Sequence, residues 1–272
     1  MRTVVSGLFL LIIIFPAFSS AQTFPTATQE SHEFSLIQTG RGLTFHKEMG
    51  VLPFTYADKY NGGETEVVFQ LSAKHDIAGT RFYTAYTQVS FWQAYDSGNS
   101  APFRDTNYNP EIFYRFPETT LGFGSLGADA GFEHESNGQR VPLSRSWNLL
   151  YLAPSFHGDN WLAYFKLRYR IPEDDKETPD SAVGDDNPDI TDYLGYSDIN
   201  FYYMLPKGNL LHFLMRGYLG TDKGNVSLNL SFPAPHSESG FLVLRFFSGY
   251  GESLMDYNCS ITRVGIGFLY NR

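Results

Sequence analysis

His134 and Ser136 stand two residues apart, and Asn148 follows a dozen residues after Ser136. These are residue types that perform nucleophilic acyl transfer. A serine hydroxyl is a weak nucleophile until a neighbouring base takes its proton, and an imidazole is suited to that task. A third group must hold the imidazole in the correct tautomer, and an asparagine carbonyl does so in Cys-His-Asn proteases. Asn is electrostatically weaker than Asp, but it costs less to bury in apolar surroundings.

The chemistry requires the three side chains to meet, so the elements that carry them matter. In "DAGFEHES" period-two alternation puts Phe132, His134 and Ser136 on one face and Gly131, Glu133 and Glu135 on the other. In "SWNLLYL" Asn148 shares its face with Leu150 and Leu152. A hairpin of these two strands brings the trio together on an apolar face. On alternation alone, the trio also reads as a polar strand end at an interface.

Alternation recurs along the chain from about residue 50, as in "TEVVFQL", "WLAYFKLRYR", "NVSLNLSF" and "TRVGIGFLY". It predicts about twelve strands, an even number as in bacterial outer-membrane barrels. Turns at "PSFHGD", "LPKGN" and "PAPHSESG" are short. The segments near 94–109, 136–145, 171–192 and 249–260 are longer and polar, and in an up-and-down barrel they share one end. The expected fold is therefore all-β, a transmembrane antiparallel up-and-down β-barrel over residues 49–272. Carboxylates avoid lipid, so the Glu133 face points into the barrel and the His134 face outward. A site on that face is reached by membrane lipid. A soluble β-sandwich is the structural rival, but the aromatics cluster at strand ends as an interfacial girdle requires.

Composition agrees. Aromatics make up 17% of the chain, high for a soluble domain. Mean hydropathy of −0.25 excludes a bundle of membrane helices. The net charge of −9 argues against a nucleic-acid surface. Residues 1–21 read as a secretory signal peptide: Arg2 starts it, Leu8 to Phe15 form its apolar core, and Ser19-Ser20-Ala21 form its cleavage site. Residues 22–48 read as a polar periplasmic lead. The single cysteine, Cys259, excludes an internal disulfide and reads as an inert loop or strand-end residue.

"HESNG" followed by "SRSWN" resembles the signature of the bacterial outer-membrane phospholipase A family, H-D-S-N-G and S-R-S-W-N. "APFRDTNYNP", "DDNPDITDYLGY" and "SGYGESLMDYN" are also similar to family segments, and the resemblance runs from about residue 50 to the end. It implies a barrel that hydrolyses phospholipid acyl esters (A1, A2 and lysophospholipid) with Ca2+ and forms a homodimer when active. Ser136 would be the nucleophile, His134 the base and Asn148 the orienting residue. The Gly138 N–H would face the oxyanion. Calcium would take the Gln139 carbonyl, the Ser144 hydroxyl and Ser100 of the partner subunit, an oxygen-only set that suits it.

The resemblance has departures. Gln139 replaces a common Arg, which is harmless if only its carbonyl binds. Val141 stands where some members carry an Asp implicated in the monomer's calcium site. Asp186 matches an acidic residue near that site, although an Asx turn before Pro188 accounts for it equally. Gln88 shares a face with Phe82, Tyr86 and Trp92, where an unpaired amide is expensive. The family uses a Gln there in its dimer interface, and reaching lipid headgroups is the other reading. Two functional rivals stay open: a barrel acyltransferase and a passive pore lined by Lys166, Arg168, Arg170, Glu133 and Glu135.

Overall fold

The computed structural model describes residues 34–272 apart from 41, 60–64, 179, 218, 236 and 238–239. The signal peptide and residues 22–33 of the lead lie outside the described residues. The barrel strands are β2 (Met49–Ala57), β3 (Val67–Asp76), β4 (Phe82–Trp92), β5 (Phe103–Arg115), β7 (Gly124–Ser136), β8 (Ser146–His157), β9 (Trp161–Arg170), β10 (Ser197–Met204), β11 (Leu210–Arg216), β12 (Asn225–Pro233), β13 (Phe241–Gly249) and β14 (Ile261–Asn271). Each pairs antiparallel with its neighbour, and β14 pairs back onto β2 to close a ring of twelve. Two short strands sit outside the ring: β1 (Leu43–Phe45) on β3 and β6 (Thr119–Leu121) on β7.

Closure follows from the alternation. Phe165, Leu167 and Tyr169 of β9 are exposed, while Leu162, Tyr164, Lys166 and Arg168 between them are buried. The same holds for Val264, Ile266, Phe268 and Tyr270 of β14, which are exposed on the outer face. Among the described residues no helix is long and apolar enough to cross a membrane. The apolar belt is built from strands, most of them of the length a tilted membrane strand needs.

The lumen is filled rather than open. Lys166 Nζ donates to Glu133 Oε2 at 2.5 Å and to Glu111 Oε2 at 3.2 Å. Arg168 joins Glu133 to Asp198, which also holds Arg216. Paired charges inside a closed barrel satisfy groups that have no water to turn to. The end opposite the long loops is sealed by the chain itself. Phe34, Leu36 and Ile37 bury among Tyr83, Phe113, Tyr151 and Tyr202. Arg115 donates to the Leu36 and Ile37 carbonyls, and Lys74 to those of Ser35 and Leu36. The described part of the lead, residues 34–40 and 42–48, thus packs Phe34, Leu36 and Ile37 into the barrel and contributes β1.

Three boundaries differ from the sequence reading. β5 begins at Phe103, so the loop read as 94–109 spans only 93–102. β8 runs to His157 through Pro154, and the turn before β9 is correspondingly tight. The segment read as 171–192 extends to Tyr196, because Ile190–Leu194 form one helical turn, with Ile190 and Leu194 buried, before β10 starts at Ser197. In each case tertiary packing outweighed a local turn or strand signal.

Candidate active site

Strands β7 and β8 pair with His134 opposite Asn148 and Ser136 opposite Ser146. His134 Nδ1 lies 2.9 Å from Asn148 Oδ1, so the amide oxygen accepts the Nδ1 proton. All three side chains are half-buried on the outer face, above exposed Leu150 and Leu152. Ser136 shares that face with His134, but no hydrogen bond joins them among the described residues; such contacts commonly tighten only when substrate is engaged. The lumen fixes the strand from behind. Glu133 is held by Lys166 and Arg168, and Asn109 Nδ2 donates to the His134 carbonyl at 3.1 Å.

The loop after Ser136 is shaped by Asn137, which is 2% exposed. Its Oδ1 accepts from Arg145 N at 2.9 Å and Gln139 N at 3.3 Å, and its Nδ2 donates to the Leu143 carbonyl at 3.0 Å. Gly138 sits inside this staple with φ of 63°, a left-handed conformation that favours glycine. A Cβ there would meet Tyr108 Cε2 at 3.0 Å, and Tyr108 is the residue of β5 paired with Ser136. Glycine therefore lets the backbone just after Ser136 pass close beside Tyr108 of β5.

Three loops cap the site end. Trp147, 1% exposed, packs with Leu149, Ile190, Leu194, Leu254 and Tyr257, and its Nε1 donates to Glu135. Asn187 Oδ1 accepts from Ser146 N at 2.9 Å, and Arg170 Nη2 grips both oxygens of Asp185 at 2.6 and 2.7 Å. Tyr257 donates to Asp189; burial and that carboxylate push its hydroxyl pKa upward.

The acidic segment 172–189 is thus partly structural. Glu173 Oε1 accepts from Asn148 Nδ2 at 3.0 Å. Asp186 makes no Asx turn; Asp185 makes it, accepting from Asn187 N at 2.9 Å. Asp186 instead accepts the Ser144 hydroxyl at 2.5 Å through Oδ2 and holds Lys176 Nζ at 2.5 Å through Oδ1. Glu173, Lys176, Asn137 and Asn187 were missed in the sequence reading. Asn137 and Asn187 carried a signal, in the Asn-Gly and Asn-Pro turn dipeptides that they open.

The donors near Ser144 are oxygens, which suits calcium. Gln139 is exposed, and its carbonyl accepts no hydrogen bond among the described residues. The set is sparse, and no group of three or more His, Cys, Asp or Glu is arranged for a metal among the described residues. Residues of one chain thus fit calcium only as part of a site. Ser100 is exposed at the end of the β4–β5 loop with φ of 64°, and no hydrogen bond joins it to Gln139 or Ser144. Cys259 is a free thiol in the loop before β14. Gln88 faces outward as the alternation requires, and its own chain satisfies its amide. Tyr86 Oη donates to Gln88 Oε1 at 3.0 Å, and Gln88 Nε2 to Ser90 Oγ at 3.1 Å.

The family model of phospholipase A1 matches residues 33–270. The phospholipase A1 of Salmonella typhimurium is 37% identical over 229 residues, covering 80% of this chain and 73% of that one. That of Escherichia coli K12 is 37% identical over 224 residues, covering 78% and 71%. Among solved structures, the outer membrane phospholipase A of Escherichia coli superposes with a TM-score of 0.73 at 33% identity, covering 84% of this chain and 94% of that one. The Salmonella typhi outer membrane phospholipase, solved as a dimer with bound calcium, gives 0.74 at 32% identity, covering 87% and 96%. A closed barrel with an apolar belt, similar to these enzymes over nearly its whole length, is an outer-membrane protein. Matched by the family model over residues 33–270, this chain belongs to the phospholipase A1 family.

Proposed function

We propose that this chain hydrolyses phospholipid acyl esters, at both acyl positions and in lysophospholipids, with Ser136 as nucleophile. The observation that carries the reading is the 2.9 Å contact of His134 Nδ1 with Asn148 Oδ1, on the lipid-facing surface that Ser136 shares. An asparagine-to-alanine active-site mutant among the similar Escherichia coli structures supports an asparagine in this role.

With its Nδ1 proton held by Asn148, His134 keeps Nε2 bare. Ser136 Oγ attacks the ester carbonyl carbon and its proton passes to Nε2. The oxyanion develops beside the loop of Gly138, whose N–H donates to it. Collapse breaks the bond to the glycerol oxygen, which leaves with the proton from Nε2. Water then attacks the acyl-serine, gives its proton to Nε2 and releases the fatty acid, with Ser136 regaining a proton. Calcium, held by the Gln139 carbonyl, Ser144, Asp186 and Ser100 of the partner subunit, would supply Lewis-acid stabilisation of that oxyanion. Because one chain offers part of the set, assembly into a homodimer completes the site, with Gln88 at the interface. Dimerisation then acts as the on-switch of an enzyme surrounded by its substrate.

The filled lumen argues against a pore. A barrel acyltransferase would use the same residues, so products decide between the two. Ser136→Ala should abolish fatty acid release from a defined phospholipid while the protein remains a heat-modifiable barrel. Turnover at the parental rate in that variant would refute the mechanism, and acyl transfer to a lipid alcohol in place of free fatty acid would favour the transferase.

A further inference from the structure

We propose that Glu173 is a positioning residue for the acyl-transfer site, acting through Asn148; this rests on the serine-hydrolase reading above. Asn148 is gripped at both ends of its amide. Oδ1 lies 2.9 Å from His134 Nδ1, and Nδ2 donates to Glu173 Oε1 at 3.0 Å. The two ends of an amide are nearly alike in shape, so a lone Asn turns over easily. Turned over, it would aim N–H at the imidazole and select the tautomer that occupies Nε2 with the proton. An ionised carboxylate accepts and never donates. Glu173 therefore draws the NH2 end to itself and leaves the oxygen for His134.

The contact also carries charge. A hydrogen bond to a carboxylate polarises the amide and makes Oδ1 a better acceptor. When His134 becomes imidazolium, the countercharge lies one amide away. The arrangement accounts for Asn in place of Asp at this position. A carboxylate at 148 would face Glu173 at hydrogen-bonding distance, and two carboxylates there cannot both ionise cheaply.

Glu173 is not placed by chance of a loose loop. Ile171 N donates to the Asn148 carbonyl at 2.8 Å, tying the start of the loop to the same residue. Farther along, Asp185 is gripped by Arg170, and Asn187 accepts from Ser146 N at 2.9 Å. The loop is thus fastened to β8 and β9 on both sides of Glu173. Asp174, Asp175, Glu177 and Asp180 of this loop are exposed, whereas Glu173 turns inward to Asn148.

The test is a sign reversal. Glu173→Gln, Asn148→Asp and the double variant are purified in detergent and assayed on a thioester phospholipid analogue. Heat-modifiable migration reports the fold, and Ser136→Ala gives the baseline. Glu173→Gln alone should lower kcat about tenfold, about 1.4 kcal/mol, with KM little changed. Asn148→Asp alone should fall further, because it sets two carboxylates face to face. In the double variant, the amide that replaces the Glu173 carboxylate donates to the new carboxylate, so Glu173→Gln should raise kcat in that background. A merely structural role predicts a loss in both backgrounds. Loss in both, or no effect in either, overturns the inference while Ser136→Ala remains inactive. Parental activity in Ser136→Ala overturns the serine-hydrolase reading itself.

Discussion

Lys176 holds the carboxylate that also accepts the Ser144 hydroxyl, so a calcium ion arriving there meets an ammonium already in place. Replacing it with methionine keeps most of the length of the side chain and removes the charge. The pair is 2.5 Å long with side chains only 14% and 11% exposed, so it is worth more than a solvent-screened surface pair. A charge-assisted hydrogen bond in such surroundings contributes about 1.5–3 kcal/mol. Calcium binding to the native chain has to offset that loss. Lys176→Met should therefore tighten the calcium Kd by roughly ten- to a hundredfold, at 1.4 kcal/mol per factor of ten. Without calcium, the same change leaves Asp186 uncompensated and should lower the melting temperature. Saturating calcium should then stabilise the variant more than the parent. Titration calorimetry in micelles, with melting curves in chelator and in calcium, measures both. A Kd equal to the parent's or weaker would refute the idea that Lys176 competes with the ion at Asp186.

Gly138→Ala should cost roughly 1–2 kcal/mol of local strain for the left-handed conformation. Its Cβ also presses on Tyr108, so the barrel should persist while kcat falls at least about tenfold as the oxyanion donor shifts; unchanged kcat would exclude Gly138 from that role. Lys166→Met takes one partner each from Glu133, which keeps Arg168, and Glu111, which keeps Lys47, and should destabilise the barrel by about 1–3 kcal/mol, read from urea unfolding in detergent. Ser100→Ala should raise the calcium concentration required for activity and for a crosslinked dimer, and chelator should abolish both; full activity of a strictly monomeric preparation in chelator would refute assembly as the switch.

The barrel was legible because lipid imposes a rule on every strand. Side chains alternate between two solvents, so Val264, Ile266, Phe268 and Tyr270 announce their face without any knowledge of their neighbours. The same rule put His134, Ser136 and Asn148 on one surface, and it placed the long loops at one end. Loop contents were not legible, because nothing periodic governs them. A run of charges such as 172–189 is solvated in most chains, and composition does not distinguish the carboxylates that turn inward. Glu173 and Asp186 acquired their partners from Asn148 and Ser144, each remote in sequence, and Lys176 then paired with Asp186 across the fold of the same loop. The lead behaved likewise: its short apolar residues Phe34, Leu36 and Ile37 became core only because the closed barrel offered buried aromatics at that end. Sequence by itself therefore determined the strands, their faces and the trio, through local alternation against lipid. Tertiary structure alone decided which charges meet, because an ion pair depends on distance in space, and loop closure can bring together residues that spacing along the chain does not relate.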